Sequence, residues 1–205
     1  MIPAAQGFTA PKALILLFLL PLLGPAAFPQ ARATVAPANL NYLVDNAETI
    51  VRGHVVSATL EPHPQYPNLP TVVVAVAVVK TLKGQPATTL TFRQLLLGAD
   101  DTGGAGGYHK SEEILLFLNP VSPYGLTSPA GMEQGRFRVL RDNKGNAYAL
   151  NGRGNVGLFN GVLTTSSSRG AKFTAEAKTM LSKDSGRVQL STLEQTIQAL
   201  VAVHP

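Results

Sequence analysis

The sequence predicts a mainly β fold, an antiparallel barrel or sandwich of five or six strands with a short helix before it and a docking helix after it. Two observations carry this. Runs rich in Val, Ile, Thr and Phe recur at intervals of about 10–25 residues, separated by Gly, Pro and Asn turn chemistry and by no long helical pattern. Of the 205 residues, 45% are hydrophobic and 14% charged, and none is cysteine, so a buried core rather than disulfides has to hold the chain. The missing cysteine also excludes Cys-ligated zinc, iron–sulfur clusters and thiol catalysis.

The first segment carries a targeting pattern. Lys12 precedes the apolar run from Ala13 to Leu23, Gly24 and Pro25 break any helix, and Ala31-Arg32-Ala33 supplies small residues at the −3 and −1 positions. A basic start, a short apolar core and an A-x-A site describe a secretory signal peptide over 1–33, cleaved near Ala33-Thr34. The alternative, an uncleaved anchor, needs roughly 20 apolar residues to span a bilayer, and Pro21 already interrupts this shorter run. No lipobox is possible without cysteine. The expectation is a secreted or periplasmic protein of a bacterial envelope, where disulfides are available but not required. Loss of Lys12 and Arg32 lowers the formal charge from +5 to +3. The nucleic-acid binding that a pI near 9.6 would permit largely goes with them.

Next, Leu40, Leu43, Val44 and Ala47 recur at i, i+3, i+4, i+7, one face of a short helix. Residues 49–60 are β-branched and partly alternating, with Gly53 marking a bulge or bend. Pro62, Pro64, Pro67 and Pro70 forbid regular structure between that strand and the next. Residues 71–82 hold six valines, apolar on both faces, which places this strand centrally in the sheet. Lys83-Gly84-Gln85-Pro86 closes it. Residues 88–95 alternate, with Leu90, Phe92 and Gln94 on one face. A glycine-rich loop over 98–107 leads to a buried strand at 113–118, and a long loop over 119–134 leads to a hairpin of 135–140 and 147–150 around Asp142-Asn143-Lys144-Gly145-Asn146. The expected β domain is 34–162. The Ser/Thr-rich run after Thr164 reads as a flexible linker over 163–190, with a short helix at 175–181 inside it. Over 191–205, Leu193, Ile197, Leu200 and Val201 form one helical face behind a capping box, Ser191 at N-cap and Glu194 at N3. This helix either docks on the barrel or stands free to bind a partner.

Most candidate chemistry lacks its required spacing. The 98–107 glycines are followed by a strand rather than a helix N-terminus, which removes the phosphate-loop reading. Asp100 and Asp101 lack calcium-loop spacing. His54, His63, His109 and His204 show no zinc pattern, and His63 and His109, in their loops, read as solvated. Glu112 and Glu113 are adjacent on a strand and point to opposite faces, so they make no glycosidase pair. Arg136 and Arg138 share a face opposite Phe137 and read as a solvated outer face rather than a nucleic-acid strip.

The stretches Ala47-Glu48-Thr49-Ile50-Val51-Arg52-Gly53-His54-Val55, Val78-Val79-Lys80-Thr81-Leu82-Lys83-Gly84, Ser111-Glu112-Glu113-Ile114-Leu115-Leu116-Phe117-Leu118 and Gln134-Gly135-Arg136-Phe137-Arg138-Val139 occur in this order. Together they resemble a group of uncharacterised exported bacterial proteins similar to netrin modules and tissue inhibitors of metalloproteinases. The resemblance covers about residues 40–160 and implies an OB-like barrel. It brings no catalytic residues. The inhibitors chelate their target's zinc through an N-terminal cysteine, which this chain lacks.

The expected function is therefore a non-enzymatic binding module that engages a protein or polysaccharide through barrel-end loops, with no cofactor, no metal and no nucleic acid. The candidate binding residues are His63, Tyr66, Asp100, Asp101, Tyr108, His109, Tyr124, Arg136 and Arg138. The alternative is a metal-dependent hydrolase whose site gathers His54, His109, Asp100 and Glu112.

Overall fold

The computed structural model describes residues 37–96 and 105–203. The expected signal peptide with its cleavage site, Asp100, Asp101 and His204 lie outside the described residues. In chain order the elements are α1 (Leu40–Asn46), β1 (Thr49–Pro62), β2 (Pro70–Lys83), β3 (Thr89–Leu95), β4 (Glu113–Leu118), β5 (Arg136–Arg141), β6 (Ala147–Asn151), α2 (Val162–Ser168), α3 (Ala175–Leu181), β7 (Val188–Gln189) and α4 (Leu190–Val201). The fold is mainly β, built on one seven-stranded antiparallel sheet in the order β3-β2-β1-β4-β5-β6-β7.

Three expectations change here. The sheet has seven strands rather than five or six, because Val188 and Gln189 add a short strand beside β6. It is also open: β3 and β7 are its two edges, and no strand pairing joins them. β2 lies one place in from the β3 edge rather than at the centre, which β4 occupies.

Curvature comes from β1. Its register against β2 shifts at Ile50/Val51, at Arg52/Gly53 and at Val55/Ser57, and each shift bends the strand. At Gly53 a Cβ would stand 2.3 Å from the Ala77 carbonyl oxygen, so the two strands approach there as only glycine allows. The expected bend at Gly53 is thus explained by close backbone approach.

Alternation on the strands divides the core in two. On one face, Ile50, Leu115, Phe117, Phe137 and Ala149 pack against Leu40 and Leu43 of α1 and Leu193, Ile197 and Leu200 of α4. The Phe117 and Phe137 rings meet at 5.5 Å. On the other face, Val51, Val55, Val72, Val74, Val76, Phe92, Ile114 and Leu116 form a second cluster around Tyr108. All six residues of β4 are buried because both of its faces are covered.

Residues 163–190, expected as a linker, carry α2, α3 and β7, with Ser166, Ala177, Met180, Leu181 and Val188 buried. The Ser/Thr run folds as helix with Thr164, Thr165, Ser167 and Ser168 exposed, held by buried Val162 and Ser166 and by bonds from two of its hydroxyls. The Ser166 hydroxyl donates to Asn41 Oδ1 at 2.7 Å, and that of Ser168 to the Thr165 carbonyl at 2.7 Å. The capping box does not form. α4 begins at Leu190 with Gln189 at its N-cap and no side-chain cap, because Glu194 is taken by cations from the sheet.

Candidate functional site

The loop after β1 and the loop after β4 meet, and a buried histidine joins them. His63 lies in the proline loop after β1 and is 2% exposed, so the expected solvated position is corrected. Its Nδ1 accepts from the backbone N–H groups of Gln65 and Tyr66, both at 3.2 Å. With that nitrogen an acceptor, Nε2 carries the proton and donates to the Tyr124 carbonyl at 2.8 Å, in the loop after β4. Two uncharged loops are thereby fixed by one neutral imidazole, buried with both nitrogens satisfied.

The second loop is held by its own bonds. The Asn119 N–H donates to the Ser128 carbonyl at 3.0 Å, the Thr127 hydroxyl to the Asn119 carbonyl at 2.7 Å, and the Gly125 N–H to the Ser122 carbonyl at 2.9 Å. Its Thr127 N–H reaches across to the Arg93 carbonyl of β3 at 2.9 Å. The Arg93 guanidinium reaches the strand ends that flank the first loop, donating to Thr71 Oγ1 of β2 at 2.7 Å and to Glu61 Oε2 of β1 at 3.0 Å.

What this frame presents is aromatic. Tyr66 stacks on His63 with ring centroids 5.2 Å apart, and Tyr124 meets Tyr66 edge-on at 5.8 Å and 73°. Tyr66 is 44% and Tyr124 57% exposed, with Leu69 and Val121 also exposed near them in sequence. Beside Tyr124 a groove of about 360 Å³ opens, lined by Leu90, Thr91, Phe92 and Arg93 on β3 and by Leu118, Asn119, Val121, Gly125 and Thr127 opposite. Its lining combines apolar walls with the hydroxyls of Thr49, Thr91 and Thr127, the Asn119 amide and the charged side chains of Glu48 and Arg93.

The other candidates fall elsewhere. Tyr108 is buried, its hydroxyl donating to Gln94 Oε1 at 3.0 Å. Burial drives its pKa well above the ordinary phenol value, although the nearby Arg136 charge opposes that, so the ring is a neutral core group. The Arg136 guanidinium lies 4.6 Å from the Tyr108 ring centroid and donates to Glu133 Oε2 at 2.7 Å. Arg138 donates to Glu112 Oε1 at 2.7 Å. Each arginine thus faces a carboxylate. His109 is exposed, and its backbone N–H points to Glu112 Oε2 at 3.4 Å. Among the described residues no three His, Asp or Glu side chains gather where they could hold a metal.

A charged cluster on the helix-facing side was not foreseen from sequence. Arg52 of β1 donates to Glu113 of β4 and to Glu194 of α4, both at 2.6 Å; Lys80 of β2 reaches Glu194 at 2.7 Å and Arg141 of β5 reaches Glu113 at 2.6 Å. Both carboxylates are buried. Burial raises the Glu113 pKa, but hydrogen bonds and charge from Arg141 and Arg52 outweigh it and hold the carboxyl below the ordinary range. Burial likewise lowers the Arg52 pKa, and its bonds to Glu113 and Glu194 overcome that to raise it. The available signal was Arg52 itself, a charge two residues from Ile50 on the same face of a strand. No protein-family model and no curated protein matches this chain, so what it does has to be read from the groove and its aromatic rim.

Proposed function

We propose that the protein is an exported, non-enzymatic binding module of the bacterial envelope, built on an OB-like half-closed barrel and engaging a protein or polysaccharide through its loops. One observation carries the binding reading: Tyr66 and Tyr124 stand exposed beside the groove on a frame fixed by buried His63. Tyrosine is a rigid, amphipathic anchor that loses little conformational entropy on contact, and exposed aromatics on a pre-formed frame favour recognition. The OB-like description is supported by the bends in β1 and by the Thr127–Arg93 bond, which carries the chain partly around from β4 towards β3. Export rests on the signal pattern of residues 1–33, and exported protein is expected to begin near Thr34 on N-terminal sequencing.

The test uses the absence of tryptophan, which leaves tyrosine as the dominant intrinsic fluorophore. Soluble envelope polysaccharide and soluble envelope protein are titrated separately into the protein while tyrosine emission is followed. One of them is expected to change the signal saturably, and the Tyr66→Ala/Tyr124→Ala variant to bind it more weakly by about 2 kcal/mol, roughly 30-fold, with its melting temperature kept. Equal binding by the double variant, or no saturable change with either material, refutes the assignment.

A further inference from the structure

The sheet ends differently at its two edges. β7 is two residues long and runs directly into α4, so it leaves almost no unpaired backbone. β3 is seven residues long and is paired with β2 on one side only. The direction of its backbone groups is fixed by three bonds. Thr88 accepts from the Val78 N–H at 2.9 Å and the Leu96 N–H donates to Pro70 at 3.0 Å, so residues of even number face β2. The Arg93 carbonyl points the other way, to Thr127. Thr89 and Thr91 share its parity, so their N–H and C=O groups point out of the sheet. Among the described residues nothing bonds them.

From Leu90 to Arg93 this edge is one wall of the groove, with Leu118, Asn119, Val121 and Thr127 also lining it, and Thr89 directly adjoins that wall. Unpaired N–H and C=O groups at two-residue spacing are complementary to an extended chain, and natural edge strands are usually blunted when nothing is meant to pair with them. Charge narrows the occupant further. Two charged residues line the groove; Arg93 is committed to Glu61, while the Glu48 carboxylate has no partner among the described residues. A groove in which the cation is already paired and the one uncommitted charge is a carboxylate favours a cationic side chain.

We infer that the β3 edge captures an extended peptide segment carrying a Lys or Arg, which lies in the groove, pairs with the backbone of Thr89 and Thr91 and sets its cation against Glu48. This rests on the binding-module reading and narrows it from protein or polysaccharide to protein. The probe is a fluorescein-labelled pair of alternating peptides, Lys-Thr-Val-Thr-Val and Glu-Thr-Val-Thr-Val with blocked C-termini, added up to millimolar concentration. Anisotropy reports binding and amide hydrogen exchange reports where it occurs.

The lysine peptide is expected to bind and to slow exchange at the Thr89 and Thr91 amides, while the glutamate peptide binds at least tenfold more weakly. Thr91→Pro removes one outward N–H, a change that an edge strand tolerates, and is expected to lower affinity about tenfold. Glu48→Lys, which leaves β3 untouched, is expected to reverse the preference between the two peptides. Binding unchanged in both variants, or protection appearing elsewhere, overturns the inference. A chitin hexasaccharide that changes tyrosine emission without protecting Thr89 or Thr91, where neither peptide binds, overturns the peptide assignment and leaves the binding module standing. If neither peptide nor saccharide binds, both fall.

Discussion

Glu113 is buried against two guanidinium groups, and the balance of burial against charge at this one carboxyl sets a pH dependence. Its pKa in the folded protein lies below the ordinary value, which is about 4.3 in an unfolded chain. The stabilisation is therefore complete above that pH and is lost as pH falls through the folded value. Glu113→Gln leaves Arg52 and Arg141 without this partner and is expected to cost about 1–3 kcal/mol at neutral pH. In urea denaturation at a series of pH values, the gap between variant and parent should narrow below pH ~4; a constant gap contradicts the assignment. At this scale the sequence was least informative. His63 sits among prolines and reads as solvated, because its partner is a carbonyl 61 residues away. Glu194 likewise looks like a cap until α4 is placed against β1 and β2. Local pattern carries no record of such distant partners. Tyr66 and Tyr124 were identifiable as loop aromatics, but not as neighbours.

Among the elements, α4 carries the clearest energetic consequence. Leu193, Ile197 and Leu200 are fully buried against the sheet and α1, so the helix is a wall of the core rather than a detached arm. Ile197→Ala is expected to cost about 2–5 kcal/mol by loss of buried methyl groups and the cavity they leave. Equilibrium unfolding in urea measures it, and a cost near zero would show the helix undocked. Strands β1 to β6, α1 and α4 were legible because alternation and the i, i+4 repeat are imprinted by the faces they bury. The β5–β6 turn was legible for a local reason: Asp142 Oδ1 accepts from the N–H groups of Lys144 and Asn146 at 2.9 and 2.8 Å. α2 was not legible. Its sequence VLTTSSS has weak helix propensity, and it is held by packing of Val162 and Ser166 against elements distant in the chain. β7 is two residues long, too short to show any period.

For the molecule as a whole, mainly β architecture followed from composition and strand spacing, whereas strand count and closure did not. Closure depends on how far β1 bends and where the loop after β4 runs, and neither leaves a periodic trace. The sheet separates two hydrophobic clusters that share β1 and β4, so the two faces should melt together. Val76→Asp, at a fully buried position on the face away from α4, places an unpaired charge in the core and is expected to cost several kcal/mol. The parent should show one calorimetric transition, and the variant either one at lower temperature or none; a surviving α4-side transition would divide the molecule into separate folding units. α4 follows every strand in chain order, yet it supplies Glu194 and, through Leu193, Ile197 and Leu200, a large part of the apolar cover of one face. In a nascent chain, β1 and β4 must therefore wait with that face only partly covered and Arg52 short of one of its two carboxylates. The twelve residues of α4 are thus the latch of the fold: the core on that face and the charge pairing of Arg52 are completed by the helix that follows every strand.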